Sequence, residues 1–128
     1  MHKKDLEELF KKHKFYAIIH FAGKKAAGES GEKPLFYYEN NRIELLILLN
    51  YVLKLKLIIS IFSSSCTIYG NREDKPKENE KMLSPINPYG RSKLFIEYML
   101  KETAKIEKDF KIALLIETYE KANEIKLN

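Results

Sequence analysis

Apolar residues along this chain recur with two periods, one typical of helices and one typical of buried strands. Apolar positions at helical spacing within a charged segment predict an amphipathic helix over residues 3–14. Longer helical patterns cover residues 35–53 and 89–108. Short, nearly continuous apolar runs predict buried strands, and these runs occupy residues 16–22, 57–62 and 111–116.

The alternation of these elements indicates the fold class. The order helix–strand, repeated three times, predicts an α/β fold in which three parallel strands are flanked by helices. Residues 70–88 contain three prolines and no clear periodicity, so they are predicted to form a long loop. Residues 117–128 are expected to form a short helix or a frayed tail.

Size and charge narrow the classes of protein that need to be considered. The 128 residues suffice for one domain, and the formal net charge is +5. The lysines are interleaved with glutamates instead of forming a basic patch, so the charge is read as a solvated surface and no nucleic-acid partner is expected. The longest apolar stretch, residues 45–62, is interrupted by polar and charged residues and is too polar for a membrane span.

Cysteine and histidine usage point to an intracellular protein without a metal site. Cys66 is the only cysteine, so no disulfide can form within the chain, which fits a reducing compartment. The charged N-terminus does not resemble a signal peptide, and a cytoplasmic location is expected. His20 is interpreted as a buried structural residue in preference to a catalyst or metal ligand.

Tyr89 and Lys93 are the first candidates for chemistry, because residues four apart lie on one face of a helix. A free tyrosine has a pKa of about 10 and is a poor base at neutral pH. Lowering it by about three units requires roughly 4 kcal/mol of preferential stabilisation of the phenolate, which a neighbouring ammonium can supply. Alone the pair is a weak signal, since lysine-rich helices contain such pairs by chance.

Three further segments carry polar or small residues where strands and helices meet. Ser63–Ser65 follow the second strand, at the edge where open α/β sheets bind ligands, although a plain polar turn explains them equally well. The run 20–30 is rich in small residues, which let a ligand approach the backbone. Asn40 and Asn41 fall inside a helix, where asparagine is unfavourable unless its side chain bonds something.

Together these segments resemble a known family. Four stretches read HFAGKKAAGES, KPLFYYENN, FSSSCTIYG and NPYGRSKLFIE, at residues 20–30, 33–41, 62–70 and 87–97. In the same order they are similar to the motifs of UDP-hexose 4-epimerases, a branch of the extended short-chain dehydrogenase/reductase superfamily. The similarity extends from about residue 5 to residue 115.

The resemblance implies a role for each matched position. Tyr89 matches the base that takes the proton from the sugar 4-hydroxyl, Lys93 the residue that binds the nicotinamide ribose and lowers the tyrosine pKa, and Ser65 the residue that hydrogen-bonds the 4-oxygen. Positions that match NAD-binding residues are Phe21, Ala22, Gly23, Lys24, Lys25, Asn40, Tyr89 and Lys93.

The resemblance also implies a reaction and partners. UDP-galactose and UDP-glucose would be interconverted by NAD-dependent oxidation and reduction at sugar C4, in galactose metabolism. The helices over 35–53 and 89–108 would pair across a homodimer interface.

The chain departs from the family pattern in two regions. It contains no G-x-x-G-x-x-G run, and after the third strand it lacks the family's Leu-Arg-Tyr-Phe-Asn-Pro segment. We therefore expect residues 1–128 to form a partial NAD-binding Rossmann domain with the second-half strands only, without the glycine-rich strand–turn–helix and the C-terminal substrate domain. The alternative function is a truncated, non-catalytic remnant or a self-associating module. We expect the 128 residues alone to be inactive.

Overall fold

A computed structural model of the chain describes residues 3–56, 59–71 and 83–116. The elements follow in the order α1 (Lys3–Lys12), β1 (Ala17–His20), α2 (Ala27–Glu32), α3 (Pro34–Tyr38), a π-helical segment (Glu39–Ile43), α4 (Glu44–Lys54), β2 (Ile59–Ser63), a 3₁₀ helix (Cys66–Tyr69), α5 (Pro88–Ile106) and β3 (Lys111–Leu115).

The three strands form one parallel sheet in the order β1-β2-β3. His20 pairs with Phe62, and Ser63 pairs with Leu115, so the carboxyl ends of all three strands lie at one edge. The predicted α/β fold, a partial Rossmann-type parallel sheet with flanking helices, is confirmed. Each strand is one to three residues shorter than its apolar run, and the first two residues of the second run, Leu57 and Ile58, lie outside the described residues.

The core lies between the sheet and the two long helices. Its buried members come from α4, β2, α5 and the turn before β3, and they are Leu45, Leu49, Val52, Phe62, Ile96, Leu100 and Phe110. Burial of each large apolar side chain contributes about 1.5–3 kcal/mol relative to exposure. This core attaches α5 to the strand that leads into the three serines, Ser63–Ser65.

Two of the predicted helices have shifted ends. The first stops at Lys12 instead of residue 14, because the chain turns there towards β1, with the Phe15 ring edge-on to the Phe10 ring at 5.4 Å. The helix predicted over 89–108 runs from Pro88 to Ile106. Proline suits its first position because the amide hydrogen that proline lacks would have no partner within the helix.

The helix predicted over 35–53 is interrupted. Residues Glu39–Ile43 form a π-helical turn between α3 and α4, and this turn contains both asparagines. The Asn41 side chain is buried and bonds the backbone of Lys24, 17 residues earlier. π-turns inside α-helices occur frequently at functional sites.

Periodicity missed two short elements, and some predictions fall outside the description. Helix α2 contains two glycines and the 3₁₀ helix is one turn long, so neither has a readable apolar period. The predicted loop over 70–88 is described only in part, and the predicted helix or tail over 117–128 lies outside the described residues. Within the described ranges, no helix has the length and apolar character needed to cross a membrane.

Candidate active site

The first two turns of α5 present Tyr89 and Lys93 on one side of the helix. Asn87 precedes the helix in an extended conformation, and its Oδ1 accepts a hydrogen bond from the Gly90 amide at 2.8 Å. Pro88 takes the first helical position. Tyr89 is 8% exposed and Lys93 is 5% exposed, so the core side of α5 buries both.

Lys93 joins α5 to the end of β2. Its Nζ donates to the Ser63 carbonyl oxygen at 2.8 Å. The same Nζ lies 4.7 Å from the centre of the Phe62 ring and 5.9 Å from the centre of the Tyr89 ring. A buried ammonium near a phenol favours the ionised phenol. The spacing therefore places a cation where a tyrosine base needs one.

The two serines that follow Ser63 at the end of β2 have separate contacts. Ser64 is fixed from two elements, since its amide donates to the Leu115 carbonyl at 2.7 Å and its Oγ donates to Glu97 Oε1 at 2.5 Å. Ser65 caps the 3₁₀ helix, and its Oγ accepts from the amide and the hydroxyl of Thr67, at 3.3 and 3.0 Å. The serine turn is thus a built structure at the carboxyl edge of the sheet.

Glu97 continues the face of α5 that carries Tyr89 and Lys93. It is 2% exposed and lies one helical turn beyond Lys93. Besides accepting from Ser64, it accepts from Lys101 Nζ through Oε2 at 3.0 Å. Buried carboxylates need such partners, because an unpaired charge in the interior is very costly. Lys93 and Glu97, on consecutive turns of α5, therefore bond the consecutive residues Ser63 and Ser64.

The loop 21–25 leaves β1 next to this edge and is exposed along its length. Gly23 has φ +146°, a conformation that L side chains rarely adopt, and a Cβ there would lie 3.1 Å from Asn41 Oδ1. Asn41 accepts from the Lys24 amide at 2.8 Å and donates to the Lys24 carbonyl at 3.0 Å. The π-helical turn therefore sets the course of the loop.

Asn41 also connects that loop to the tyrosine helix. Its Nδ2 lies 3.2 Å from Ser92 Oγ, and Ser92 Oγ donates to the Tyr89 carbonyl at 2.7 Å. Ser92 is completely buried. Asn40 itself is half-buried and donates to Asn41 Oδ1 at 3.1 Å. The predicted need for mid-helix asparagines to bond something is confirmed.

His20 lies below the loop at the end of β1. It is 8% exposed, and its ring stacks on that of Phe62 with centres 5.8 Å apart. Burial and then the positive charge of Lys93 lower the pKa of His20, while Glu44 opposes the shift. The interpretation of His20 as a buried structural residue agrees with this placement.

Helix α2 packs against the start of α5. The Ser30 hydroxyl oxygen accepts the Tyr89 amide at 3.2 Å. Nearby, the Tyr37 hydroxyl donates to Glu29 Oε2 at 2.8 Å, and Lys33 Nζ donates to Glu29 Oε1 at 3.2 Å. The bond from Tyr37, followed by that from Lys33, lowers the pKa of Glu29. Burial and then the bond to Glu29 raise the pKa of Tyr37.

The structure thus gathers most of the predicted residues at one edge. Lys93 bonds the Ser63 carbonyl at the end of β2 and lies beside the Tyr89 ring, and the loop 21–25 leaves the adjacent end of β1. Sequence reasoning missed the supporting contacts made by Ser30, Ser64, Ser92 and Glu97. Helical spacing could have indicated Glu97, four residues after Lys93, whereas the others are recognisable only from contacts between distant segments.

Comparison with known proteins places this arrangement in context. Residues 1–120 match the family model described as GDP-mannose 4,6 dehydratase. The chain is 45% identical over 113 residues to the bifunctional UDP-glucose 4-epimerase and UDP-xylose 4-epimerase 1 of Pisum sativum, covering 88% of this chain and 32% of that protein. It is 46% identical over 110 residues to UDP-glucose 4-epimerase 2 of Arabidopsis thaliana, covering 86% and 31%.

Solved structures show the same fold. The crystal structure of UDP-glucose 4-epimerase from Bifidobacterium longum in complex with NAD+ and UDP superposes with a TM-score of 0.82 at 39% identity, covering 88% of this chain and 34% of that one. The chain spans about a third of the length of the curated relatives that it matches.

Proposed function

The chain belongs to the GDP-mannose 4,6-dehydratase family of the short-chain dehydrogenase/reductase superfamily, and we propose that it carries the proton-transfer part of an NAD-dependent UDP-hexose 4-epimerase site. One observation carries the proposal. Tyr89 and Lys93 are both buried on one face of α5, and Lys93 is fixed by the Ser63 carbonyl beside the tyrosine ring. The relatives named UDP-glucose 4-epimerase support the same reading of the substrate.

In this proposal each residue has one task. Tyr89 accepts the proton of the sugar 4-hydroxyl as the phenolate and returns it when the reduced product forms. Lys93 stabilises the phenolate through its ammonium charge. Ser65, whose oxygen accepts from Thr67, directs its own hydrogen towards the sugar 4-oxygen. Proton transfer by a positioned side chain contributes typically about 10²–10⁴-fold to a rate.

The described residues fit the nicotinamide side of NAD. The loop 21–25 is exposed at the carboxyl edge of a parallel sheet, where nucleotide cofactors bind, and Gly23 lets the backbone be approached closely. We assign Phe21, Ala22, Gly23, Lys24, Lys25 and Asn40 to this contact, together with Tyr89 and Lys93. When bound, NAD would accept a hydride from sugar C4 and return it to the opposite face.

We treat turnover by the 128 residues alone separately from the role of the segment, because the glycine-rich run that binds NAD in the family has no counterpart in them. We expect calorimetric titration of the chain with NAD to show no measurable binding, and a coupled UDP-galactose assay to show no turnover. Tight, stoichiometric NAD binding would contradict the non-catalytic alternative.

An exchange experiment tests the competence of the segment itself. The matching 113 residues of the Pisum sativum enzyme are replaced by those of this chain, and UDP-galactose turnover is measured. We expect turnover that Tyr89→Phe lowers by about 10²-fold or more. Tyr16→Phe, at an exposed tyrosine just before β1, serves as the control and should leave the rate unchanged. A folded chimaera with no turnover would overturn the proposal.

Self-association is the second candidate function, and exposed apolar side chains favour it. Ile43 and Leu46 on the π-helical turn and α4, and Phe95 and Tyr98 on α5, are all more than two-fifths exposed. We propose that these helices pair between two copies of the chain. Sedimentation velocity should show a dimer that Phe95→Glu dissociates, whereas Leu9→Glu at an exposed position of α1 should not. A monomer at all concentrations would refute this.

A cytoplasmic location completes the proposal. It is supported by the single cysteine, Cys66, which can form no disulfide within the chain.

A further inference from the structure

The backbone of Tyr89 has an unusual anchor. Tyr89 is the second residue of α5 and lies in the first turn, where amide hydrogens bond to groups outside the helical ladder. The helix's own cap, Asn87, is occupied by the Gly90 amide. The Tyr89 amide instead donates to Ser30 Oγ at 3.2 Å, and Ser30 belongs to α2, 59 residues earlier in the chain.

Ser30 is itself held rigidly. Its side chain is completely buried, and its hydroxyl donates to the Ala27 carbonyl at 2.6 Å, which turns an oxygen lone pair towards α5. Helix α2 is also held at the residue before Ser30, where the Glu29 carboxylate accepts hydrogen bonds from Tyr37 and Lys33. A fixed acceptor of this kind restrains the peptide that it binds more closely than a solvent-exposed cap could.

The carbonyl side of Tyr89 is restrained as well. Ser92 Oγ donates to the Tyr89 carbonyl at 2.7 Å, and Ser92 lies 3.2 Å from the buried Asn41 amide. Lys93, the cation beside the phenol, is anchored elsewhere, on the Ser63 carbonyl. The separation of phenol and ammonium therefore depends on the bonds that hold the Tyr89 backbone and on the bond that holds Lys93. The energy of a charge pair varies inversely with distance, so a shift of either anchor changes the stabilisation of the phenolate.

We propose that Ser30 is a positioning residue for Tyr89, holding the backbone of the proposed base at a set distance from Lys93 through the Tyr89 amide. This rests on the proposed function of Tyr89 and assigns a task to α2. The segment of small residues after β1 then has two roles in the proposal. Its loop, 21–25, contacts the cofactor, and its helix, α2, positions Tyr89.

The test measures Tyr89 directly in the chain without NAD or sugar. Tyrosines carrying a ¹³Cζ label are titrated by NMR, and the Tyr89 signal is assigned as the one missing from Tyr89→Phe. Ser30→Ala should lower the acid dissociation constant of the Tyr89 phenol by about tenfold, because the phenol moves away from Lys93. Amide exchange should accelerate at Tyr89 more than at Gly90, whose cap is intact. Ser30→Thr, which keeps the hydroxyl, should restore both values.

Thr103→Ala is the matched control, because it deletes another hydroxyl that bonds a backbone carbonyl within α5, at 2.8 Å from the Met99 oxygen. It should leave the Tyr89 titration unchanged. If Ser30→Ala does not fold, as judged by near-ultraviolet circular dichroism, Ser30→Cys, which keeps the shape of the side chain with a slightly larger and weaker acceptor, is titrated instead.

An unchanged Tyr89 titration in a folded Ser30 variant would overturn the proposal and leave Ser30 with a stabilising role only. Failure of the epimerase proposal gives a different result, since the exchanged segment would then show no turnover while the Tyr89 titration still responded to Ser30.

Discussion

His20 is a histidine whose surroundings favour the neutral ring. Burial and the Lys93 charge lower its pKa more than Glu44 raises it. In the unfolded chain His20 therefore binds a proton as the pH falls through about 6.5, whereas in the folded chain it binds that proton only at lower pH. The stabilising effect is complete above pH 6.5 and is lost as the pH falls from there towards the lower pKa of the folded state.

We predict that the urea midpoint of the chain falls between pH 7 and pH 5, and that His20→Gln reduces this dependence. The comparison is His13→Gln, at an exposed histidine between α1 and β1. Equal pH dependence in the two variants would show that His20 does not carry the effect.

Ser64 and Glu97 form a buried contact that sequence alone did not reveal. A hydrogen bond to a charged group contributes about 1.5–3 kcal/mol. We predict a loss of that size in the free energy of unfolding for Ser64→Ala, measured by urea denaturation. In a double-mutant cycle with Glu97→Gln, the coupling should exceed about 1 kcal/mol. Additive effects would mean that the two side chains stabilise the protein independently.

At the scale of elements, α5 is fitted closely against the 3₁₀ helix. A Cβ on Gly90 would stand 2.8 Å from the Thr67 carbonyl oxygen and 3.1 Å from Pro85 Cβ. The backbone oxygen cannot yield by rotating a side chain, so the helix start would have to move. We predict that Gly90→Ala lowers the free energy of unfolding by about 1–3 kcal/mol, as overpacking does.

Gly28 provides the opposite case, since a Cβ there would meet no atom within 4 Å. Gly28 lies in α2, where alanine is favoured over glycine by about 0.5–1 kcal/mol. Gly28→Ala should therefore stabilise the chain slightly in the same urea titration. If both substitutions had the same sign, close packing at Gly90 would not be the cause.

At the scale of the whole molecule, one core joins the sheet to its helices. Leu100 is 1% exposed on α5 and belongs to the cluster that includes Phe62 of β2. We predict that Leu100→Ala costs about 2–5 kcal/mol, because it leaves a cavity in that core. Leu35→Ala, at a side chain that is 80% exposed, should change stability by less than about 0.5 kcal/mol. Comparable losses would mean that the core does not extend from β2 to α5.

Much of the fold could be predicted, because periodicity is local. The three strands and the helix carrying Tyr89 were expected within a few residues of their ends, since apolar runs and helical spacing can be read from neighbouring positions. The π-helical turn and α2 could not be read in this way. The turn is stabilised by the bond from Asn41 to Lys24, and α2 contains glycines that weaken any local helical signal.

The sequence by itself determined the family, the order of elements and the Tyr89–Lys93 pair, because these depend on motifs and on spacing along the chain. Only the tertiary structure decided which residues support that pair. Ser30 meets Tyr89 across 59 residues, Lys93 meets Ser63 across 30, and Asn41 meets Ser92 across 51. Such contacts exist because the parallel sheet brings the carboxyl ends of its strands to one edge, and no local pattern encodes that meeting.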